Sequence, residues 1–388
     1  MINVLIIGIG DPVPTFIHRR LRTLIKYDVN ITVAASNQLP NDLIGLKYIR
    51  IVRKFTVNTI AVSFIKACVN FSAFVKMMRI RTDLTFFNRL VWALKYLPLA
   101  CAKRPDIIHL QWIAAATEYS WLRNFFSSPI IASARGSMVT VYPVTRPGYR
   151  NIIEKAIQQV DYIHCVSNDM AIVCEKLGAR KDQLIVNYNG LDLNHFIPSS
   201  TDNVNTIFTL ISAGTLMWRK AYIYQLHIVK KLLLSGYHVK LTIIGDGPDR
   251  EALVYTAKVL GISQHIELAG KLAEAELPVM LNRADIYIST SLAEGLANSV
   301  VEAVACKLPV VCFECEGMHE VIEQGVNGFI VPFGDVDGMV EKIIHLATHP
   351  DERVRMGLAS RKIAEERFDE NVCVQQMIKN YKSIAEKK

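Results

Sequence analysis

No stretch of this 388-residue sequence reaches the ~18–20 uncharged apolar residues that a membrane-crossing helix needs. The most apolar region, Ile60 to Met78, is broken by Lys66 and Lys76. The opening MINVLIIGIGD is too short for a signal peptide, lacks a basic start and ends on Gly-Asp, so it reads as a buried first strand. With no export signal in view, the eight cysteines are expected to be reduced thiols in a cytosol. Zinc patterns are missing too. Cys312-x-x-Cys315 has no second pair at zinc spacing, and His319-Glu320 is not followed by the second His of a zinc hydrolase. Gly8-x-Gly10 lacks the third glycine of a dinucleotide fingerprint, which argues against NAD. Asp335-x-Asp337 precedes the helical run MVEKIIHLA, where helix capping explains it better than a metal. Low-complexity tracts, repeats of 20–50 residues and nucleic-acid modules are also absent. The sequence therefore calls for no metal, no cofactor and no nucleic-acid partner.

What is present is a globular chain of 51% hydrophobic and 21% charged residues, long enough for two domains. Its mean hydropathy, +0.22, is high for a freely soluble enzyme and points toward a membrane surface. Charge is divided unevenly. Residues 1–190 hold 24 Lys and Arg against 11 Asp and Glu, and residues 191–388 hold 20 against 25. Between Leu43 and Pro105 twelve basic residues face one acid, Asp83, among Phe64, Phe71, Phe74, Phe86, Phe87 and Trp92. A solvated basic face is one reading. The interleaved aromatics favour the other, a face that docks on anionic lipid.

Short apolar runs alternate with amphipathic stretches, the pattern of a doubly wound parallel sheet. VLIIGIG, NITVAAS, DIIHLQW, PIIASARG and YIHCVS form one series, with helices such as Thr15 to Lys26 and Tyr149 to Gln159 between them. A second series runs IFTLISAG, VKLTIIGDG, IELAG, DIYISTS, PVVCFE and GFIVP. The join falls in the polar run LDLNHFIPSSTDNVN. Two Rossmann-like α/β halves predict a shared site, because ligands of open parallel sheets lie beyond the carboxyl ends of the strands.

The strongest chemical signal is ISTSLAEGLANSVVEAVACKLPVV. Glu294 is expected in a loop at a helix N-terminus and Glu302 about one turn into that helix. Backbone N–H groups of Gly295, Leu296 and Ala297, beside Asn298, then form an anion site suited to a diphosphate. Gly295 lets backbone approach a ligand closely. Carboxylates accept hydrogen bonds from sugar hydroxyls, so two of them flanking a phosphate site match a nucleotide-sugar. Taken alone, the same acids also fit a helix cap and a solvated helix residue.

This segment resembles the E-x7-E signature of family 4 glycosyltransferases, retaining enzymes of the GT-B fold in glycosyl transferases group 1. The resemblance implies that Glu294 contacts hydroxyls of the donor sugar and Glu302 the ribose. Lys307 stands where a Gly is usual. Upstream, SAGTLMWRKAYIYQLHIVKKL resembles the family's G-R-L-x-x-x-K-G stretch, which places Gly214 near the donor and Lys220 on its phosphates. Thr215 replaces the family's Arg and Ala221 the Gly after the lysine, so Arg219 is a candidate for the missing cation. IIGDGPDREAL implies donor positions Asp246 and Gly247, and IELAGKLAEAEL implies base contacts at Lys271 and Leu272.

In the first half, GIGDPVPTF resembles the loop that approaches the acceptor, implying Gly10, Pro14 and Thr15, with His109 as a further candidate. At SARGSM the family often has His before the Gly; Arg135 there is either a structural residue or a clamp on an anionic acceptor. The implied organisation is an acceptor-binding domain over 1–198, a donor-binding domain over 199–367, and a final helix over 368–388 that crosses back. The implied activity is metal-independent transfer of a hexose-type sugar from a nucleotide-diphosphate-sugar to a glycan or lipid-linked acceptor, in surface polysaccharide or lipopolysaccharide assembly. The leaving phosphate would take the acceptor's proton, and the enzyme would work at the cytoplasmic face of the inner membrane. A non-catalytic sugar-nucleotide-binding subunit is the alternative, kept open by Thr215 and Arg135.

Overall fold

The computed structural model describes residues 1–36, 38–43, 45–51, 65–199 and 207–387. Arg53, Lys54 and Phe64 of the basic stretch, and residues 200–206 of the polar join, lie outside them. The described chain forms two compact units. The first holds Met1–Val166, Ala171–Asn187 and Val374–Lys388, and the second holds Ser167–Met170 and Tyr188–Cys373.

The first unit is built on a parallel sheet of β1 (Ile2–Ile7), β2 (Val29–Ala35), β3 (Lys47–Arg50), β4 (Ile107–Leu110), β5 (Ile130–Ala134), β6 (Tyr162–Cys165) and β7 (Leu184–Val186), in spatial order β3-β2-β1-β4-β5-β6-β7. The second carries β8 (Phe208–Ala213), β9 (Val239–Ile244), β10 (Ile266–Gly270), β11 (Ile286–Ser289), β12 (Val310–Phe313) and β13 (Gly328–Val331), ordered β10-β9-β8-β11-β12-β13. Central strands such as β4, β5, β11 and β12 are buried at every position, which is why each reads as a continuous apolar run. The edge strands β3 and β7 carry no such run. KYIR is exposed at both ends and LIV is only half-buried, so neither stands out in the sequence.

Each core lies between sheet and helices. Ile6, Ile17, Leu21 and Val33 form that of the first unit, together with Val374, Met377, Ile378 and Tyr381 of the last helix. Leu226, Val229, Leu241, Ile286, Val311 and Ile343 anchor the second. Among the described residues no helix is long and apolar enough to cross a membrane. Asp335 is the N-cap of the helix Val336–Thr348, its carboxylate accepting from the Gly338 N–H at 2.8 Å.

Two departures from the usual glycines have a backbone meaning. Ala221 has φ +49° and Lys307 φ +61°, both left-handed. Lys307 sits just past the helix Asn298–Ala305, where its N–H donates to Val304 O and the Leu308 N–H to Ala303 O, a Schellman ending. A Cβ in that conformation costs roughly 1–2 kcal/mol, offset in part by glycine's larger unfolded-state entropy. Ala221→Gly and Lys307→Gly are each expected to raise stability by up to about 1 kcal/mol in urea unfolding. A loss of stability in both would show that contacts of the two side chains outweigh the strain.

Candidate functional site

In an open parallel sheet, the crevice opens where the strand order reverses. In the second unit β8 lies between β9 and β11, so loops leaving its carboxyl end diverge there. The loop after β8 carries Gly214 to Lys220, and the loop after β11 carries Thr290 to Ala297. At that point two candidates 74 residues apart in sequence meet. Lys220 Nζ lies 2.5 Å from Glu294 Oε1, with the side chains 14% and 8% exposed.

The local structure explains the meeting. Trp218–Lys220 form one 3-10 turn, and left-handed Ala221 then redirects the chain into the helix Tyr222–Leu234. The Leu292 N–H donates to Arg219 O at 2.8 Å. The buried Thr290 hydroxyl lies 3.1 Å from both Lys220 O and Ala221 O. Gly214 makes room: a Cβ there would stand 3.2 Å from Lys220 Cε and 3.4 Å from Nζ. Burial alone would lower the Lys220 pKa, but the Glu294 charge and hydrogen bond outweigh it and hold the ammonium above its ordinary 10.5.

The neighbouring loops close around this pair. Gly247 packs on Leu216, where a Cβ would fall 2.4 Å from Leu216 O, and Asp246 caps its own loop by accepting from the Gly247 N–H at 2.9 Å. The Gly245 N–H donates to Gly270 O, which brings Lys271 and Leu272 to the same strand-end edge. Gly317, at φ +79°, packs on Gly295; a Cβ would lie 2.8 Å from Gly295 O. The helix begins at Asn298, with Ala297 as an N-cap that makes no side-chain cap bond. Gly295, Leu296 and Ala297 are buried in the approach to it. Glu302 is partly buried, and its charge reaches the Tyr287 hydroxyl, which also feels Lys220. Thr215 is exposed, whereas Arg219 is partly buried with Nε 3.2 Å from Met217 Sδ.

Sequence reasoning missed three supports of this loop. The Ser167 hydroxyl donates to Gly295 O at 2.5 Å, Asp169 accepts from the Gly317 N–H at 2.7 Å, and Asn189 Nδ2 lies 3.2 Å from Asn298 Oδ1. Their partners are more than a hundred residues away, so no local pattern marks them.

In the first unit the acceptor candidates separate. Gly10, at φ +87°, lines a cavity of about 310 Å³ beyond the carboxyl ends of β1 and β2, with Gly8, Ala35, Ser36, Lys95 and Glu118. Tyr96 donates its hydroxyl to Glu118, and Lys95 Nζ lies 3.5 Å from the same carboxylate. Pro14 caps the helix Thr15–Leu24 and Thr15 is exposed, but neither lines this cavity. Arg135 is 6% exposed, its guanidinium 4.9 Å from the Phe16 ring centroid and bonded to Gln111 O, Gln111 Oε1 and Ser133 Oγ.

His109 has no exposed surface. Its Nδ1 lies 2.6 Å from the Tyr381 hydroxyl and its Nε2 2.9 Å from Ser133 Oγ, which in turn lies 2.9 Å from His164 Nδ1. His164 Nε2 faces Asn187 O at 2.9 Å, so it must carry the proton. That fixes the row's direction: Tyr381 donates to His109, His109 to Ser133, Ser133 to His164, and His164 to Asn187 O. Burial, then the Arg20 and Arg135 charges, push both imidazole pKa values well below 6.5 and keep them neutral. Arg135 and His109 thus belong to an internal network, not to an open surface. The signal for it lay in the sequence as polar residues inside apolar runs.

Comparison with known proteins places this geometry. A model described as Glycosyltransferase Family 4 matches residues 67–195, and one described as Glycosyl transferases group 1 matches residues 196–363. The amylovoran biosynthesis glycosyltransferase AmsK of Erwinia amylovora is 26% identical over 65% of this chain and 65% of its own length. The lipopolysaccharide core biosynthesis glycosyltransferase LpsE of Rhizobium meliloti is 26% identical over 71% of this chain and 74% of its own. Among solved structures, Anabaena HepE in complex with UDP superposes with a TM-score of 0.76 at 17% identity, over 99% of this chain and 100% of that one. With two Rossmann-like parallel-sheet domains and consecutive family matches from residue 67 to 363, the chain belongs to the family 4 glycosyltransferases of the GT-B fold.

Proposed function

We propose that the protein is a retaining glycosyltransferase that moves a hexose-type sugar from a nucleotide-diphosphate-sugar to a glycan or lipid-linked acceptor in surface polysaccharide assembly. The observation that carries this reading is the buried Lys220–Glu294 pair at the reversal point of the second sheet, beside a helix N-terminus. Breaking the bond between the anomeric carbon and the phosphate oxygen builds oxocarbenium character on the sugar and negative charge on the diphosphate. Lys220, supported by Arg219, and the backbone N–H groups from Gly295 to Asn298 stabilise that charge. Glu294 accepts from hydroxyls of the sugar and Glu302 from those of the ribose. Gly214, Thr215, Asp246, Gly247, Lys271 and Leu272 line the rest of the donor. The acceptor hydroxyl attacks on the face the phosphate leaves, and a phosphate oxygen takes its proton. No glycosyl-enzyme ester forms, unlike in retaining glycosidases.

The acceptor sugar enters the cavity of the first unit near Gly10 and Glu118. Relatives named for amylovoran and lipopolysaccharide core biosynthesis support a surface-glycan acceptor. Such acceptors are presented at the cytoplasmic face of the inner membrane, and the basic first half suits that surface. No metal takes part in the proposed step. Purified protein incubated with nucleotide-sugar and membrane extract in excess EDTA is expected to release nucleoside diphosphate and to give a product with the donor's anomeric configuration. Turnover restored only by magnesium would overturn the metal-independent step, and an inverted product the same-face attack. Donor binding without release would favour a non-catalytic subunit.

A further inference from the structure

Some of the cations counted in the basic stretch are engaged locally. Arg81 holds Asp83 through two bonds of 2.8 and 2.7 Å, and its guanidinium lies 5.7 Å from the Trp92 ring centroid. Arg89 donates to the carbonyls of Met78, Thr82 and Leu84, tying the turn between the helices Phe71–Ile80 and Phe86–Ala100. Lys76 reaches Phe125 O, and Lys95 pairs with Glu118. The aromatics divide as well. Phe74 and Trp92 are partly buried, Trp92 against Tyr96 and Trp121 at 5.7 and 5.0 Å.

What remains open is apolar. Phe86 is 73% and Phe87 71% exposed, side by side in the first turn of a helix that follows a tight turn. The Thr85 hydroxyl accepts from the Asn88 N–H, so the helix start that presents the two rings is formed. Arg79, in the last turn of the preceding helix, is exposed close to the turn that leads to the two rings, whereas Phe71, 67% exposed, and Lys66 lie toward the other end of the pair, where the Lys66 charge reaches Cys101. Neighbouring exposed phenylalanines with cations and few acids fit the boundary of an anionic phospholipid bilayer, where rings enter the acyl region and ammonium or guanidinium groups meet phosphate.

We propose that this helix pair docks on an anionic phospholipid bilayer by inserting Phe86 and Phe87 as a wedge, with Arg79 at the headgroups. This deepens the membrane contact proposed above and replaces diffuse adsorption of the whole basic stretch by a defined point of entry. The wedge predicts salt-resistant binding, because ring insertion is not screened, whereas adsorption through exposed charges alone collapses as the Debye length falls to about 3 Å at 1 M salt.

The test is flotation of the full chain with vesicles of phosphatidylcholine and phosphatidylglycerol at 0.1 and 1 M salt, for wild type, Phe86→Ser/Phe87→Ser and Arg79→Gln. Wild type is expected to float at both salt concentrations. The double serine variant should lose at least tenfold in vesicle partition with an unchanged circular dichroism spectrum. The glutamine variant should lose a few-fold, mainly at low salt. Serine variants that float like wild type, or wild-type binding abolished by 1 M salt, would overturn the wedge. So would a wild-type oligomer that the serine substitutions convert to monomer, since the rings would then meet another copy of the chain. Nucleotide-sugar turnover, read separately, stands or falls independently of flotation.

Discussion

Glu294→Gln is expected to lower turnover by about 10²–10³-fold, the effect of removing one preorganised polar group from a charge-developing site. The glutamine keeps the side chain's shape and an acceptor for the Lys220 ammonium, but not the charge that sits 2.5 Å from it. Glu294→Ala should do more harm to the fold. It leaves an ammonium that is 14% exposed without its counter-charge, and breaking a buried pair from one side costs about 3–5 kcal/mol. That is a large part of a typical stability of about 5–15 kcal/mol. The kinetic comparison therefore belongs to the glutamine variant, with urea unfolding of the alanine variant run beside it. Near-normal turnover in Glu294→Gln would remove the residue from the reaction.

Lys220→Met is expected to be as damaging to turnover, by about 10²-fold or more, because the methionine fills the space without charge. The site offers Lys220 little alternative: Gly214 lies against its Cε, and Thr290 and Leu292 bond the backbone from Arg219 to Ala221. Thr215, exposed on the same loop, should tolerate alanine with little change. The pH dependence has a definite sign. The Lys220 pKa is raised in the folded chain, so its contribution to stability is complete below the unfolded value of 10.5. It is lost only as pH rises through the higher folded value. Between pH 6 and 9 Lys220 does not titrate, and a limb in the pH–rate profile there belongs to another group. If Lys220→Met were active and Arg219→Met inactive, the two roles would have to be exchanged.

Lys220 and Glu294, singled out through the resemblance of their segments to a family pattern, lie in contact on the strand-end loops of the second unit. Strands buried on both faces announced themselves as apolar runs. The edge strands β3 and β7 did not, because short half-buried segments carry no such signature. The Lys220–Glu294 contact was out of reach of any local reading, since it closes across 74 residues at a strand reversal that only the sheet order reveals. Arg135 and His109 show what residue type leaves open. Either could serve a ligand or the interior, and the structure places His109 in a buried row running from Tyr381 to Asn187, with Arg135 donating to its Ser133. Ala221 and Lys307 read as departures from a pattern; their left-handed backbone gives the reason glycine is usual there.

The second unit is proposed to bind a nucleoside diphosphate through Lys220 and the loop that carries Glu294. Titration calorimetry of UDP, GDP and ADP into wild type and Lys220→Met, with EDTA present, tests it most directly. One of the three is expected to bind the wild type, and the methionine variant, less stable in urea because Glu294 loses its counter-charge but folded by its circular dichroism spectrum, is expected to bind it at least tenfold more weakly. Equal affinity in the two proteins, or binding of none of the three to wild type, would contradict it.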